Sequence, residues 1–188
     1  LGSVATLVIA SMAGYGFEIF RSKNRDRVYN AVLLTMMIPF AALMIPLFTM
    51  FAKANLLDTH IAVVLPTIAS VFVIFYFRQA SKAFPSELRE AARVDGLNEL
   101  QIFFYIYMPV MKSTYAAAFI IVFMANWNNF LWPLIVTNSP ETRPLTVGLS
   151  IFGAPENGVD ISVISAATLM SVAPLLIAFL IFQRQFVQ

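Results

Sequence analysis

The stretch from Glu87 to Pro109 reads ELREAARVDGLNELQIFFYIYMP, and it places charged residues and a glycine inside a chain that is otherwise largely apolar. Of the 188 residues, 60% are hydrophobic and 12% are charged, and the mean hydropathy is +0.79. A typical soluble domain has about 45–50% apolar and about 25% charged residues. The composition therefore indicates a membrane protein, in which residues 87–109 form an unusually polar insertion.

The same composition excludes several function classes. A net charge of +2, dispersed among apolar runs, does not provide a surface for nucleic acid. With no cysteine and one histidine, His60, the chain has no disulfides, cysteine zinc sites or thiol catalysis. The remaining polar residues show no serine-histidine or metal-ligand spacing, so we predict no catalytic residue, no metal site and no enzyme activity.

Five segments are apolar for long enough to cross a bilayer. A hydrocarbon core about 30 Å thick requires roughly 20 apolar residues in a helix, whereas soluble core helices are usually shorter and carry a polar stripe. The segments are Leu1 to Phe20, Val28 to Ala52, Ile61 to Phe77, Thr114 to Val136 and Ile161 to Phe182. The sequence therefore predicts an all-α, polytopic transmembrane helical bundle.

Proline and small residues predict the shape of these spans. A proline removes a backbone donor and kinks its helix, and we expect such kinks at Pro39, Pro46, Pro66, Pro133 and Pro174. Small residues four apart, Ala10 and Gly14 in the first span and Ser162 and Ala166 in the last, favour close packing against a neighbouring helix.

Lysine and arginine are concentrated in two of the connecting loops. Residues 21–27 (RSKNRDR) carry four and residues 78–112 carry five, whereas the other two loops contribute Lys53 and Arg143 alone. Because these residues accumulate on the cytoplasmic side, we expect both basic loops and the C-terminal tail, with Arg184, to be cytoplasmic. An odd number of spans that starts outside also leads us to expect a further span before Leu1.

The polar insertion predicts two short helices. Pro85 suits a first helical turn, Glu87 favours the positive helix N-terminus, and Gly96 suits a left-handed stop. A second, apolar helix begins at the N-cap residue Asn98 and ends near Pro109. We expect this pair to lie along the inner membrane face, with the first helix presented to the cytoplasm. These features leave open whether the loop docks a partner or only connects two spans.

The order of residues in the loop resembles a motif of the transmembrane subunits of binding-protein-dependent ABC importers. The motif runs Glu-Ala-Ala, three residues, Gly, nine residues, Ile, one residue, Leu-Pro, and here EAARVDG is followed nine residues later by IYMP. Met108 replaces the leucine, a mild departure because the two side chains are similar in volume. In the family this loop transmits the closing motion of a cytoplasmic ATPase. The resemblance therefore implies ATPase-coupling roles for Glu90, Ala91, Ala92, Asp95, Gly96, Ile106 and Pro109.

Three flanking segments are similar to the carbohydrate-type permeases, the branch related to the maltose and glycerol-phosphate importer subunits. They are FRQASKAFPSELR (residues 77–89), NWNNFLWPLIVT (126–137) and QRQFVQ (183–188). The resemblance implies a bacterial inner-membrane permease for a sugar or sugar-like solute. It further implies six spans, of which residues 1–188 would form a single permease domain without the first span, and a coupling loop at about residues 81–109.

The resemblance also implies partners. A second permease subunit would complete the path, ABC ATPase subunits would hold ATP and Mg²⁺, an extracytoplasmic binding protein would deliver solute, and lipid would surround the spans. We expect no cofactor on this chain, because its nearest approach to a phosphate-binding loop, GAPENG at residues 153–158, lacks the lysine and hydroxyl residue that should follow. Two alternatives stay open: a permease of another ABC class, for amino acids or peptides, and a self-sufficient secondary carrier, although the central spans lack the acids that carriers use.

Polar residues in the predicted membrane region are concentrated in ANWNNFLWP, residues 125–133. On a continuous helix, Asn126 and Asn129 would share a side with Pro133, and Asn128 would share another with Trp132. Amides bind hydroxyls and indoles stack on sugar rings, so we predict a solute path at Asn126, Trp127, Asn128, Asn129 and Trp132. The structural alternative is that asparagines join spans and tryptophans mark the membrane interface.

Overall fold

A computed structural model describes residues 1–20, 22–152 and 161–182, and its regular secondary structure within these ranges is entirely helical. The all-α prediction is therefore confirmed. A 3₁₀ turn follows α2 (Thr35–Met37) and another follows α4 (Leu65–Thr67), and a π-helical turn (Phe103–Tyr107) joins α7 to α8. The GAPENG segment and Arg184 lie outside the described residues. The α-helices are α1 Gly2–Ile19, α2 Lys23–Leu34, α3 Phe40–Lys53, α4 His60–Val64, α5 Val71–Ser81, α6 Ser86–Val94, α7 Glu99–Ile102, α8 Met108–Val110, α9 Lys112–Trp127, α10 Leu131–Val136, α11 Leu145–Phe152 and α12 Ile161–Phe182.

Two of these helices, α1 and α12, are each long and apolar enough to cross a membrane alone. Three further pairs of helices meet the same test only when both members are taken together: Lys23–Met37 with Phe40–Lys53, His60–Thr67 with Val71–Ser81, and Glu99–Val110 with Lys112–Trp127. By length and composition the described residues thus supply two spans, or up to five if each bent pair is one span. The number of spans stays a prediction.

Prolines explain two of the interruptions. Pro39 has no backbone N–H and drives the residue before it into extended backbone, so Ile38, with ψ 115°, separates the first 3₁₀ turn from α3. Pro66 lies in the 3₁₀ turn that follows α4. Pro46 and Pro174, in contrast, lie inside the continuous helices α3 and α12. Proline alone therefore did not determine where a helix ends.

The predicted continuous helix through residues 126–133 is wrong. α9 ends at Trp127, residues 128–130 are not helical, and α10 begins at Leu131. Pro133 thereby falls in the first turn of α10, where a backbone N–H would have no partner within the helix. The interruption lies upstream of the proline, and the shared sides inferred for the residues from Asn126 to Trp132 are lost.

The described residues group into two compact units. The first contains Leu1, Ser3–Ile38 and Ile68–Val122. In this unit α1 and α5 approach each other closely at Gly14, where a Cβ atom would lie 2.6 Å from the Cβ of Phe77. Ala10 is fully buried, so the close packing predicted for Ala10 and Gly14 is confirmed. Ser162 and Ala166 of α12, in contrast, are exposed within the described chain. The core of the unit is formed by Leu7, Ala10, Val73, Phe77, Ala118 and Val122.

The second unit contains Gly2, Pro39–Thr67 and the described residues from Phe123 onward. Its core is centred on Trp132, which is fully buried and donates its indole N–H to the carbonyl oxygen of Ala62 at 2.8 Å. The rings of Phe40 and Phe51 pack edge-on against the indole, with centroids 6.1 and 5.7 Å away. That residues 1–188 form one permease domain stays a prediction.

Candidate functional site

Helix α6 carries the first half of the predicted coupling motif, and it ends as the sequence predicted. Pro85 is its N-cap, and Gly96 follows its C-cap with φ +84°, in the left-handed region that glycine adopts without steric cost. The Gly96 N–H bonds to the Arg93 carbonyl and the Leu97 N–H to the Ala92 carbonyl, both at 3.0 Å. These two bonds form a Schellman motif, which satisfies the last carbonyls of the helix and turns the chain sharply.

The two sides of α6 differ in exposure. Ala92 is 2% exposed and packs inside the chain. Ala91, in contrast, is exposed, and the ATPase-coupling roles implied for both alanines stay a prediction. The outward side, called here the outer face of α6, consists of the exposed residues Glu87, Glu90, Ala91 and Val94, which the helical repeat of 3.6 residues places together.

The second half of the motif begins with a capping box. Asn98 accepts a bond from the backbone N–H of Gln101, and the Gln101 side chain accepts one from the Asn98 N–H, both at 2.9 Å. The helical path then continues through the π turn and beyond Pro109 to Val110, slightly further than predicted. Pro109 is tolerated because it stands in the first turn of α8. Ile106 is half-buried and Pro109 is exposed.

An aromatic cluster joins this segment to α1. The rings of Tyr15 and Tyr107 lie 4.8 Å apart, and those of Phe103 and Tyr107 stack at 5.4 Å with an interplanar angle of 20°. The fully buried Tyr107 also shares a 2.6 Å hydrogen bond with the Ser81 hydroxyl of α5. The loop is thus packed onto α1 and α5 by rigid side chains. The buried members are Tyr15, Phe84, Phe103, Tyr107 and Met111.

Glu99 connects α6, α7 and α1 through charge. Its carboxylate accepts bonds from Arg89 Nη2 at 2.8 Å, Arg93 Nε at 2.9 Å and the Tyr15 hydroxyl at 3.2 Å. Burial acts to raise the pKa of Glu99, but the bonds from Arg89 and Arg93 outweigh it and hold the pKa below its ordinary value. This cluster was missed in the sequence analysis because Tyr15 is distant along the chain.

A second charge cluster at the neighbouring ends of α1, α2 and α5 was also missed. Arg78 Nη2 bonds to Asp26 Oδ1 at 2.8 Å, and Arg78 Nε approaches Glu18 Oε2 at 3.5 Å. The guanidinium carbon lies 3.8 Å from the ring centroid of Tyr29, a cation–π contact. Glu18 is 4% exposed, so its charge is compensated inside the protein rather than by water.

The residues of the predicted solute path have different environments. Trp132 is fully buried, which argues against direct contact with solute. Trp127 is half-buried, and its indole N–H bonds to the Ser171 carbonyl at 3.1 Å. Asn128 is exposed and bonds to the Met124 carbonyl of its own helix at 2.9 Å, while Asn126 and Asn129 are half-buried. The role of Asn126, Trp127, Asn128 and Asn129 in a solute path stays a prediction.

Asp58 links the two loops predicted to be external through hydrogen bonds. Its Oδ1 accepts the backbone N–H groups of Asn138 at 2.8 Å and Ser139 at 3.0 Å, together with the hydroxyl of Thr142. These bonds, the one from Thr142 above all, hold the pKa of Asp58 far below its ordinary value. Within the described residues no group of three or more metal-binding side chains occurs.

Comparison with known proteins assigns this chain to a family. Residues 6–188 match the family described as binding-protein-dependent transport system inner membrane component. The chain is 60% identical over 191 residues to the lactose transport system permease protein LacG of Rhizobium radiobacter, an alignment that covers 100% of this chain and 68% of LacG. It is 38% identical to the arabinooligosaccharides transport system permease protein AraQ of Bacillus subtilis (strain 168), covering 98% of this chain and 66% of AraQ.

Two further similarities agree with this result. The sn-glycerol-3-phosphate transport system permease protein UgpE of Yersinia pestis is 32% identical, over 99% of this chain and 66% of UgpE. The crystal structure of a bacterial ABC transporter involved in the import of the acidic polysaccharide alginate superposes with a TM-score of 0.87 and 25% identity, over 97% of this chain and 69% of that chain.

The chain spans about two thirds of the length of these curated relatives. The curated relatives are named as transport system permease proteins, and they do not favour the alternatives of another importer class or a secondary carrier. The sequence-based prediction of a helical ABC importer permease is therefore confirmed. The chain belongs to the family of binding-protein-dependent transport system inner membrane components.

Proposed function

We propose that this chain is the permease subunit of an ATP-driven importer for a sugar or sugar-like solute in a bacterial inner membrane. The observation that carries the proposal is the 60% identity to the lactose permease LacG along the whole chain. The names of AraQ and UgpE also describe solutes rich in hydroxyl groups, which supports this solute class over amino acids or peptides.

The coupling loop supplies the mechanical part of the proposal. The outer face of α6 docks on a separate ATPase subunit, which binds ATP and Mg²⁺, and Glu90 forms a charge-assisted bond there. Movement of α6 reaches α1 through Glu99 and Tyr15, and α5 through Tyr107 and Ser81. Closely packed aromatic rings transmit displacement because they have few conformations to absorb it. The ATPase thus drives the spans, and this chain does not hydrolyse ATP.

We also propose an orientation of the chain in the membrane and residues that bind solute. The basic loops and the C-terminus face the cytoplasm, and the loops joined by Asp58 face an extracytoplasmic binding protein. A second permease subunit completes the path through the membrane. The exposed Asn128 and the half-buried Asn129 are the members of the predicted path best placed to bind hydroxyl groups, because their amide oxygens have no bond within the described chain.

The experiment is uptake by the complete importer in proteoliposomes containing binding protein, both permease subunits and ATPase. Labelled lactose, an arabinooligosaccharide, sn-glycerol-3-phosphate and glutamine are supplied in parallel, with and without internal ATP. We expect ATP-dependent uptake of at least one of the first three and none of glutamine. We also expect a Glu90→Lys variant to remain inserted and to lose both ATPase binding and uptake.

Two results would overturn the proposal. Uptake that is equally fast without the ATPase would identify a self-sufficient carrier. Uptake of glutamine in preference to the three carbohydrate-type solutes would place the chain in another importer class.

A further inference from the structure

The charges on and just after α6 are sorted in space. The segment carries two arginines and three carboxylates, Arg89, Arg93, Glu87, Glu90 and Asp95, and is close to neutral by count. The three carboxylates are exposed, whereas both arginines pair with Glu99, Arg89 at 18% and Arg93 at 52% side-chain exposure. A helix that looks balanced in sequence therefore presents an uneven charge distribution to a partner.

Glu99 causes this sorting. It receives two bonds from Arg89, at 2.8 and 3.2 Å, and its closest contact with Arg93 is 2.6 Å. The Tyr15 hydroxyl of α1 holds the same carboxylate from the other side at 3.2 Å. These charge-assisted bonds hold both guanidinium groups against Glu99, with Arg89 largely covered and Arg93 still about half exposed.

The other three carboxylates have no cationic partner among the described residues. No hydrogen bond or ion pair from the described part of the chain engages the side chains of Glu87, Glu90 or Asp95. Between them lie Ala91 and Val94, the latter 89% exposed. Exposed acids around a small apolar centre are complementary to a basic groove with an apolar floor.

We propose that Glu99 is a positioning residue, which makes the docking surface of α6 acidic by holding Arg89 and Arg93 away from it, and that the ATPase groove receiving α6 is basic. Glu99 itself does not contact the partner in this arrangement. The inference rests on the proposed function, because it assumes that an ATPase binds α6.

The test measures ATPase binding to the complete permease in nanodiscs, at low and moderate salt. Glu99→Gln should weaken binding about tenfold at low salt and flatten its salt dependence, because the released arginines neutralise the acidic surface. A triple variant, Glu99→Gln with Arg89→Gln and Arg93→Gln, should restore binding to within about twofold of the wild type. Glu141→Gln, an exposed acid in a different loop, should bind like the wild type.

The triple variant distinguishes a Glu99 that positions the two arginines from a Glu99 that only stabilises the loop. If Glu99 served only to brace the loop, removing its two partners as well could not restore binding. A Glu99→Gln variant that binds like the wild type, or a triple variant that stays as weak as the single one, would overturn the inference and leave the proposed function intact. A wild-type permease that binds no ATPase would instead overturn the proposed function, and this inference with it.

Discussion

Replacing Gly14 by alanine tests the close approach of α1 and α5. A Cβ atom at Gly14 would lie 2.6 Å from Phe77 Cβ, 2.7 Å from Arg78 N and 2.9 Å from Phe77 C. Two of these three atoms are backbone, so no side-chain rotation can relieve the overlap. To reach the 3.4 Å of ordinary contact, the two helices must separate by about 0.8 Å at this point.

The expected loss of stability follows from two opposing effects. Overpacking against fixed atoms costs about 1–3 kcal/mol, and the contacts at Gly14 favour the upper half of that range. Alanine in a helix interior gains at most about 1 kcal/mol over glycine. We therefore expect a net loss of about 1–2 kcal/mol. Because Arg78 would move with α5, its bond to Glu18 should weaken as well.

Gly16 provides the matched control, since it lies in the same helix and its added Cβ would meet nothing within 4 Å. Gly16→Ala should leave stability unchanged or raise it by up to about 1 kcal/mol. The assay is thermal unfolding of both variants in nanodiscs, together with hydrogen exchange of α5. If Gly14→Ala proved as stable as Gly16→Ala, the close approach described here would be wrong.

Three other substitutions test separate features. Gly96→Val should cost about 1–2 kcal/mol through backbone strain alone, because an added Cβ meets no atom within 4 Å, and faster hydrogen exchange in α6 would report it. Arg78→Met should lower the unfolding free energy by roughly 3 kcal/mol, the lower end for breaking a buried ion pair, and adding Glu18→Gln should recover part of the loss in the same unfolding assay. The lowered pKa of Asp58 implies stability that is present above its ordinary value of 3.8 and lost as the pH falls through the folded value. Hydrogen-exchange protection of residues 137–142 should therefore fall under acid, and Thr142→Val, which raises the folded pKa of Asp58, should make this loss smaller and complete it at a higher pH.

Local signals in the sequence predicted the parts of the fold that depend on near neighbours. The end of α6 at Gly96, the start of α7 after Asn98 and the close packing at Gly14 each follow from a preference of one residue or one pair. The apolar length of α1 and α12 was equally visible. Each of these features can be predicted without knowing which distant residues are in contact.

The parts that sequence reasoning missed depend on distant partners. Glu99 bonds to Tyr15, 84 residues away along the chain, and Glu18 bonds to Arg78, 60 residues away. The helix break at residues 128–130 was missed because the sequence indicated a kink at Pro133 itself. Instead, a new helix begins just before Pro133, so that the proline lies in a first turn and disrupts no helical hydrogen bond. Trp132 was predicted to contact solute because it is an aromatic residue in a polar stretch. Its burial against Phe40 and Phe51, which are distant along the chain, could not be predicted from residue spacing.

The two tryptophans of this chain provide a built-in optical contrast. Trp132 is enclosed by aromatic rings, whereas Trp127 is only half-buried. A water-soluble quencher or a brominated lipid should therefore diminish emission from Trp127 and leave that of Trp132 nearly unchanged. A Trp132→Phe variant would isolate the accessible emitter, so the surroundings of residue 127 could be followed during turnover without any attached dye.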